Sequence, residues 1–181
     1  PILSGNKDLA CATCHHPKFG YAENLDISIG VNGIGLGSNR RFGSPNSIPF
    51  VKRNSQTVVN SGFSGIDAAG HYNPSEAPMF WDMRTQSLEA QAMFPIKTFE
   101  EMRGNAYPEE QAVDSVVARL RTVSEYRALF TKAFGSDQAI TAGNLGKALA
   151  AFERSIVANN SPFDRYMRGD MDAMTDRQIR G

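Results

Sequence analysis

Apolar residues along this chain fall into two regimes. In the second half they recur every three or four positions. Val113, Val116, Val117 and Leu120 form one stripe, which predicts a helix over 112–123. Tyr126, Leu129, Phe130, Ala133 and Phe134 form another over 125–134, and Gly135 follows as a stop signal. The strongest stripe is Leu145, Ala148, Leu149, Phe152 and Ile156, the predicted buried face of a helix over 141–158. Thr141 is its predicted N-cap, and Ser161-Pro162-Phe163 ends it. Residues 87–94 read as a short helix ended by Pro95, and 174–181 as a helix start. The first half has no such period. Glycines recur at 20, 30, 33, 35, 37 and 43, with prolines at 45 and 49, and a second Gly/Pro-rich loop runs over 61–78. No strand alternation is sustained. The pattern predicts an all-α fold with long irregular Gly/Pro-rich loops, in one domain over 1–181.

Length and charge narrow the picture. The 181 residues suffice for one core. Lys and Arg number 19 against 19 Asp and Glu, so no electrostatic argument favours nucleic acid as a partner. No apolar run approaches membrane-spanning length, and no membrane span is expected. Pro1 to Gly5 is not a signal peptide, which implies either a removed leader or a piece of a longer protein.

One short motif carries chemistry. Cys11-Ala12-Thr13-Cys14-His15 has the form C-x-x-C-H, the attachment site of a c-type haem. Two thiols add across the two vinyl groups, and the next His ligates the iron. A thioredoxin-like pair would need a βαβ setting, which the pattern lacks. A structural zinc needs four ligands, and the chain has two Cys and three His with no second C-x-x-C. The expectation is one covalent haem c on Cys11 and Cys14, with His15 as the iron ligand, in a cytochrome c-like domain. Haem c is assembled on exported chains, so a bacterial periplasmic location is expected.

An ordered series of segments is more specific. Leu3-Ser4-Gly5 precedes the haem motif, and Arg53-Asn54-Ser55-Gln56-Thr57-Val58-Val59-Asn60 follows it. Then come Phe80-Trp81-Asp82-Met83-Arg84 with Ser87-Leu88-Glu89-Ala90-Gln91, and after them Glu101-Met102, Tyr126 to Phe134, Ala148 to Ser155, and Ser161-Pro162-Phe163-Asp164-Arg165-Tyr166. In this order they resemble the bacterial di-haem cytochrome c peroxidase family, which includes methylamine-utilisation-type di-haem enzymes. The resemblance covers nearly the whole chain. It implies the N-terminal, peroxidatic half of a two-domain protein that reduces hydrogen peroxide, or oxidises through ferryl iron. Electrons would come from a second haem domain fed by a small cytochrome or cupredoxin.

The resemblance also assigns roles. Gln91 and Glu101 fall on distal-pocket positions, Glu101 as acid-base catalyst and Gln91 orienting peroxide; the plain alternative is an ordinary polar face. Trp81, the single tryptophan, falls where the family relays electrons between haems; otherwise it is a core ring. Asn54 falls on a calcium-ligand position, or is a turn residue. Arg84 is open to a propionate contact or a structural one. Many family members carry a second His before the Arg-Asn motif that caps the resting haem. Here that stretch reads Ser44-Pro45-Asn46-Ser47, so His15 is expected to be the sole protein ligand and His71 an exposed loop residue. His16 is expected at the surface. The rival reading is a mono-haem electron carrier with a Met as second axial ligand, for which Met79, Met83, Met93 and Met102 are the candidates.

Overall fold

The computed structural model describes residues 1–181. It is mostly helical, with two antiparallel pairs of two-residue strands. In chain order the helices are α1 (Cys11–Cys14), α2 (Leu88–Gln91), α3 (Phe94–Lys97), α4 (Ala112–Arg121), α5 (Ser124–Phe134), α6 (Ala142–Ser155), α7 (Pro162–Met167) and α8 (Asp176–Arg180). Between α1 and α2 the chain runs through turns and single 3₁₀ turns. The hairpins there are β1 (Gly33–Ile34) with β2 (Arg41–Phe42), and β3 (Pro78–Met79) with β4 (Thr85–Gln86).

The predicted stripes build the core. Val116, Val117 and Leu120 of α4, Phe130 of α5 and Leu145 of α6 pack with Ile96, Ala139 and Ile140. Thr141 caps α6, its hydroxyl accepting from the Asn144 amide at 3.1 Å. A second cluster, Ala77, Met79, Leu88 and Ala150, fixes β3 and α2 against α6. Three expectations fail locally. Leu129 of the predicted α5 stripe is 54 % exposed, and of that helix only Phe130 is buried. Phe152 is 62 % exposed, because the apolar face of α6 runs out of core before its last turn. Pro95 does not end a helix; it occupies the first turn of α3, where its missing N–H costs no hydrogen bond.

Polar groups stitch the irregular half to the helices. Arg154 forms a two-pronged ion pair with Glu89, at 2.5 and 3.0 Å, which ties α6 to α2. Asn60 exchanges two hydrogen bonds with the Ala158 backbone, at 3.0 and 2.9 Å. Arg119 of α4 donates to the carbonyls of Ile2, Ser4 and Gly5, at 2.6–2.9 Å, and so holds the N-terminal segment on the core.

Candidate functional site

The single turn α1 sets Cys11 and Cys14 three residues apart on one helical face, with His15 immediately after. His15 is half-buried. Its Nδ1 lies 3.2 Å from the Tyr21 carbonyl, which favours the tautomer with the proton on Nδ1 and the lone pair on Nε2. Burial lowers its pKa, with the carbonyls of Tyr21 and Gln56 and the charge of Glu23 acting the other way, so the ring favours the neutral form a metal needs. Both thiols are raised. Burial and then Glu23 push Cys14 to about 12. Burial and then Glu153 raise Cys11, although it opens onto a cavity and keeps accessible surface. Such thiols are poor thiolates, which counts against redox exchange.

His15 lines a cavity of about 430 Å³ together with Gln91, Glu101, Trp81, Asn54, Arg53 and Arg84. The sequence candidates from five separate segments thus face one space. Glu101 sits in a π turn, Phe99–Arg103, a rare geometry that often marks functional positions. Two distant glycines make the turn possible. The Val31 amide, next to Gly30, donates to the Glu101 carbonyl at 3.0 Å, and the Gly5 amide to that of Met102 at 2.7 Å. A Cβ on Gly30 would fall 2.5 Å from the Glu101 carbonyl oxygen, and one on Gly5 would fall 2.6 Å from Ala106 Cβ. The Glu101 carboxyl has no hydrogen-bond donor from the protein. Burial pushes its pKa up to about 6, with Arg84 opposing and Glu100 adding. Gln91, half-buried, ends α2.

The rim of the cavity is charged and aromatic. Asp82 pairs with Arg53 at 2.9 Å and with Arg84 at 2.8 Å. Desolvation pushes Asp82 upward, but the Arg84 hydrogen bond and the two cations outweigh it and hold the carboxyl below its usual range. Arg84 also lies 3.6 Å over the Phe80 ring. Trp81 is 64 % exposed and donates from Nε1 to the Asn54 carbonyl at 3.3 Å, so it is not a core ring. The Asn54 side chain donates to the Leu25 carbonyl. No group of three His, Cys, Asp or Glu stands ready to hold a metal ion, and calcium at Asn54 has no further support here. Of the methionines, Met79 is buried in the cavity wall, Met102 is buried away from it and Met83 is 68 % exposed.

Residues 1–172 match the family model for di-haem cytochrome c peroxidase. The chain belongs to that family. It is 34 % identical over its whole length to methylamine utilization protein MauG of Methylorubrum extorquens, covering 42 % of that protein. It is 32 % identical to cytochrome c551 peroxidase of Pseudomonas aeruginosa, again over its whole length and 43 % of the relative. The chain therefore spans less than half the length of these relatives. Its fold is similar to the crystal structure of a MauG-like protein associated with microbial copper homeostasis, with a TM-score of 0.73 at 23 % identity over 99 % of this chain and 43 % of that one.

The residues present fit a covalent haem. Next to Cys11 lies a second cavity of about 310 Å³, lined almost wholly by apolar side chains such as Leu9, Leu120, Phe130 and Leu149. The His15 cavity is lined by many polar side chains, and in its wall the buried Ser61 hydroxyl has no partner. An apolar recess that includes Cys11, and another that includes His15 and many polar side chains, suit a cofactor with an apolar ring edge and two carboxylates. Two acidic residues escaped the sequence reading. Glu153 of α6 lines the His15 cavity. Glu23 is wholly buried, 3.9 Å from Arg40, and neither of its oxygens has a hydrogen-bond donor. Neither lies in a distinctive motif; a Glu within a periodic helix reads as solvated face.

The other histidines lie outside this space. His16 accepts from the Lys18 amide through Nδ1 at 3.2 Å. The His71 side chain is 82 % exposed and pairs with Asp67 at 3.1 Å. Replacing His71 with Ala is expected to leave the ferric absorption spectrum of the haem-loaded chain unchanged. Conversion from low to high spin would show instead that His71 reaches the iron.

Proposed function

We propose that residues 1–181 are a cytochrome c-like domain carrying one haem c, the peroxidatic N-terminal half of a di-haem enzyme that reduces hydrogen peroxide. The observation that carries this reading is the Glu101 carboxyl, without a protein partner, in the same cavity as His15 and Gln91. Cys11 and Cys14 would supply the thioethers of a covalent haem, and His15 would be the residue that holds its iron. A haem held there would supply an electrophilic iron and the electrons that peroxide reduction needs. Glu101 takes the proton from one peroxide oxygen and returns it to the other, the leaving one. Gln91 orients peroxide through its amide without titrating. Arg84, whose charge opposes the rise in the Glu101 pKa, helps keep the carboxylate form available.

The wider setting belongs to the same proposal. A second haem domain supplies further electrons, received from a small cytochrome or cupredoxin, and exposed Trp81 at the cavity rim is the relay toward it. Asn54 contributes one oxygen to a calcium ion completed by groups outside this chain. The location is the bacterial periplasm. No helix is long and apolar enough to cross a membrane.

Purified chain 1–181 is expected to keep its haem through acid-acetone extraction and on a denaturing gel. Mixed with peroxide in a stopped-flow cell, it is expected to consume about one equivalent quickly. It should then stall in a steady-state assay with a reduced small cytochrome. Extractable haem would end the attachment reading. Sustained turnover would refute the half-enzyme reading, and a low-spin haem inert to peroxide would favour the mono-haem electron carrier.

A further inference from the structure

Glu153 is a carboxylate that the peroxide chemistry leaves unused. It sits in the last turn of α6, half-buried, and lines the cavity that contains His15. Its neighbour in sequence is a cation, but Arg154 turns away and is committed to Glu89 by two hydrogen bonds. No hydrogen bond and no ion pair reaches the Glu153 carboxyl. The Ser61 hydroxyl in the same wall is also without a partner. A carboxylate walled into such a space without a donor is poorly solvated, so its charge is costly and its proton is easily retained. Burial pushes its pKa to about 7, Arg154 opposes this, and Glu89 adds to it.

The charged and titratable groups around it are few. Arg154 and Glu89 act from α6 and α2, and Cys11, consumed by attachment, acts from α1. The Ser61–Phe63 turn packed on α6 contributes no titratable group. From α4, Arg119 and Arg121 are engaged with backbone carbonyls elsewhere. Across the cavity lie Glu100, Glu101, Arg53, Arg84, Lys52 and Asp82.

We propose that Glu153 is the redox-linked proton acceptor of this domain: it gains a proton when an electron enters the cofactor held by Cys11, Cys14 and His15. The electron comes from a one-electron donor, an electrode or a donor protein. It adds one negative charge to a cavity in which Glu153 already bears an unpaired one. A proton from solvent converts the carboxylate to the acid and restores the charge, and no other bond forms or breaks. Uptake matters most between the pH at which Glu153 ionises and the higher pH at which it ionises beside the reduced centre. The proposal rests on the haem reading above but not on any reaction with peroxide.

The test is a spectroelectrochemical titration of the haem-loaded chain between pH 6 and 9. Where uptake is complete, the wild-type midpoint potential should fall by about 59 mV for each tenfold drop in proton concentration. Glu153→Gln should flatten that slope above pH 7. Glu153→Asp, which keeps a carboxyl, should retain it with a shifted onset. Redox-triggered infrared difference spectra offer an independent reading that begins with the wild type. A protonated-carboxyl band should grow on reduction, persist in Glu101→Gln and vanish in Glu153→Gln. An unchanged slope in Glu153→Gln, or no carboxyl band in the wild type, would overturn the proposal. Failure of the haem reading looks different, because no covalent haem would be present to titrate.

Discussion

Glu101→Gln is expected to slow the reaction of the haem-loaded chain with peroxide by about 10²–10⁴-fold, the usual contribution of a positioned acid-base group. Haem content should stay intact, because Glu101 touches neither thiol nor ligand in the proposed scheme. The pH profile adds a second signature. Glu101 must be ionised to accept the first proton, and its pKa is raised to about 6. The wild-type rate should therefore fall as pH drops through about 6, and the Gln variant should lose that limb. Stability should move the opposite way. The folded pKa lies above the ordinary carboxylate value, so folding favours the protonated form. That stabilisation is full at low pH and is lost as pH rises through about 6. At pH 8 the Gln variant should be no less stable than the wild type, by up to about 2 kcal/mol. A rate loss under about threefold, or a pH limb that survives the substitution, would return Glu101 to a structural role.

Gly30→Ala is expected to produce nearly the same kinetic defect from a residue that touches no reactant. Its new methyl group would meet the Glu100 and Glu101 carbonyl oxygens, both backbone atoms of the π turn, so neither can swing aside as a side-chain tip would. Overpacking of this kind costs about 1–3 kcal/mol. The turn must also shift by something near an ångström, and a displacement of that size can cost about 10²-fold in rate. Thermal unfolding measures the first effect and stopped-flow kinetics the second. Because the carboxyl is displaced and not removed, the pH limb should survive in Gly30→Ala. Wild-type rates in a folded Gly30→Ala protein would show that the π turn does not set the position of Glu101.

These two residues also show what could be read from the chain alone. The helices α4, α5 and α6 are legible because each buries one stripe against the same core, and a period of three to four is local information. The C-x-x-C-H motif is legible for the same reason, since five consecutive residues carry it. The π turn is not. It depends on Gly5 and Gly30, some 70 to 100 residues earlier, and nothing near Glu101 announces it. The exposure of Phe152 is not legible either, because it continues the α6 stripe in sequence while the core beneath it stops. Glu153 is illegible because a Glu at a helix end reads as solvated, and only the fold puts it against a cavity while Arg154 is drawn off to Glu89. Gln91, Trp81 and Asn54 could be singled out only through the family resemblance. Their meeting around one space with His15 depends on how the irregular first half is laid over α2 and α6.

The four-residue helix α1 has a consequence for the order of assembly. A helix of one turn fixes several backbone angles for very few hydrogen bonds, and in water it does not persist by itself. Its thiols are partly desolvated, but none of its residues is fully enclosed, so the core contributes little to holding it. Two thioether bonds would do what packing does not, closing a covalent ring across Cys11 and Cys14 and fixing the turn permanently. Attachment is then a folding event, and the segment is at its most adaptable to a maturation enzyme before the ring closes. In that view the cofactor is the clasp of this part of the domain, and a chain that never receives it should leave residues 11–15 without a settled shape.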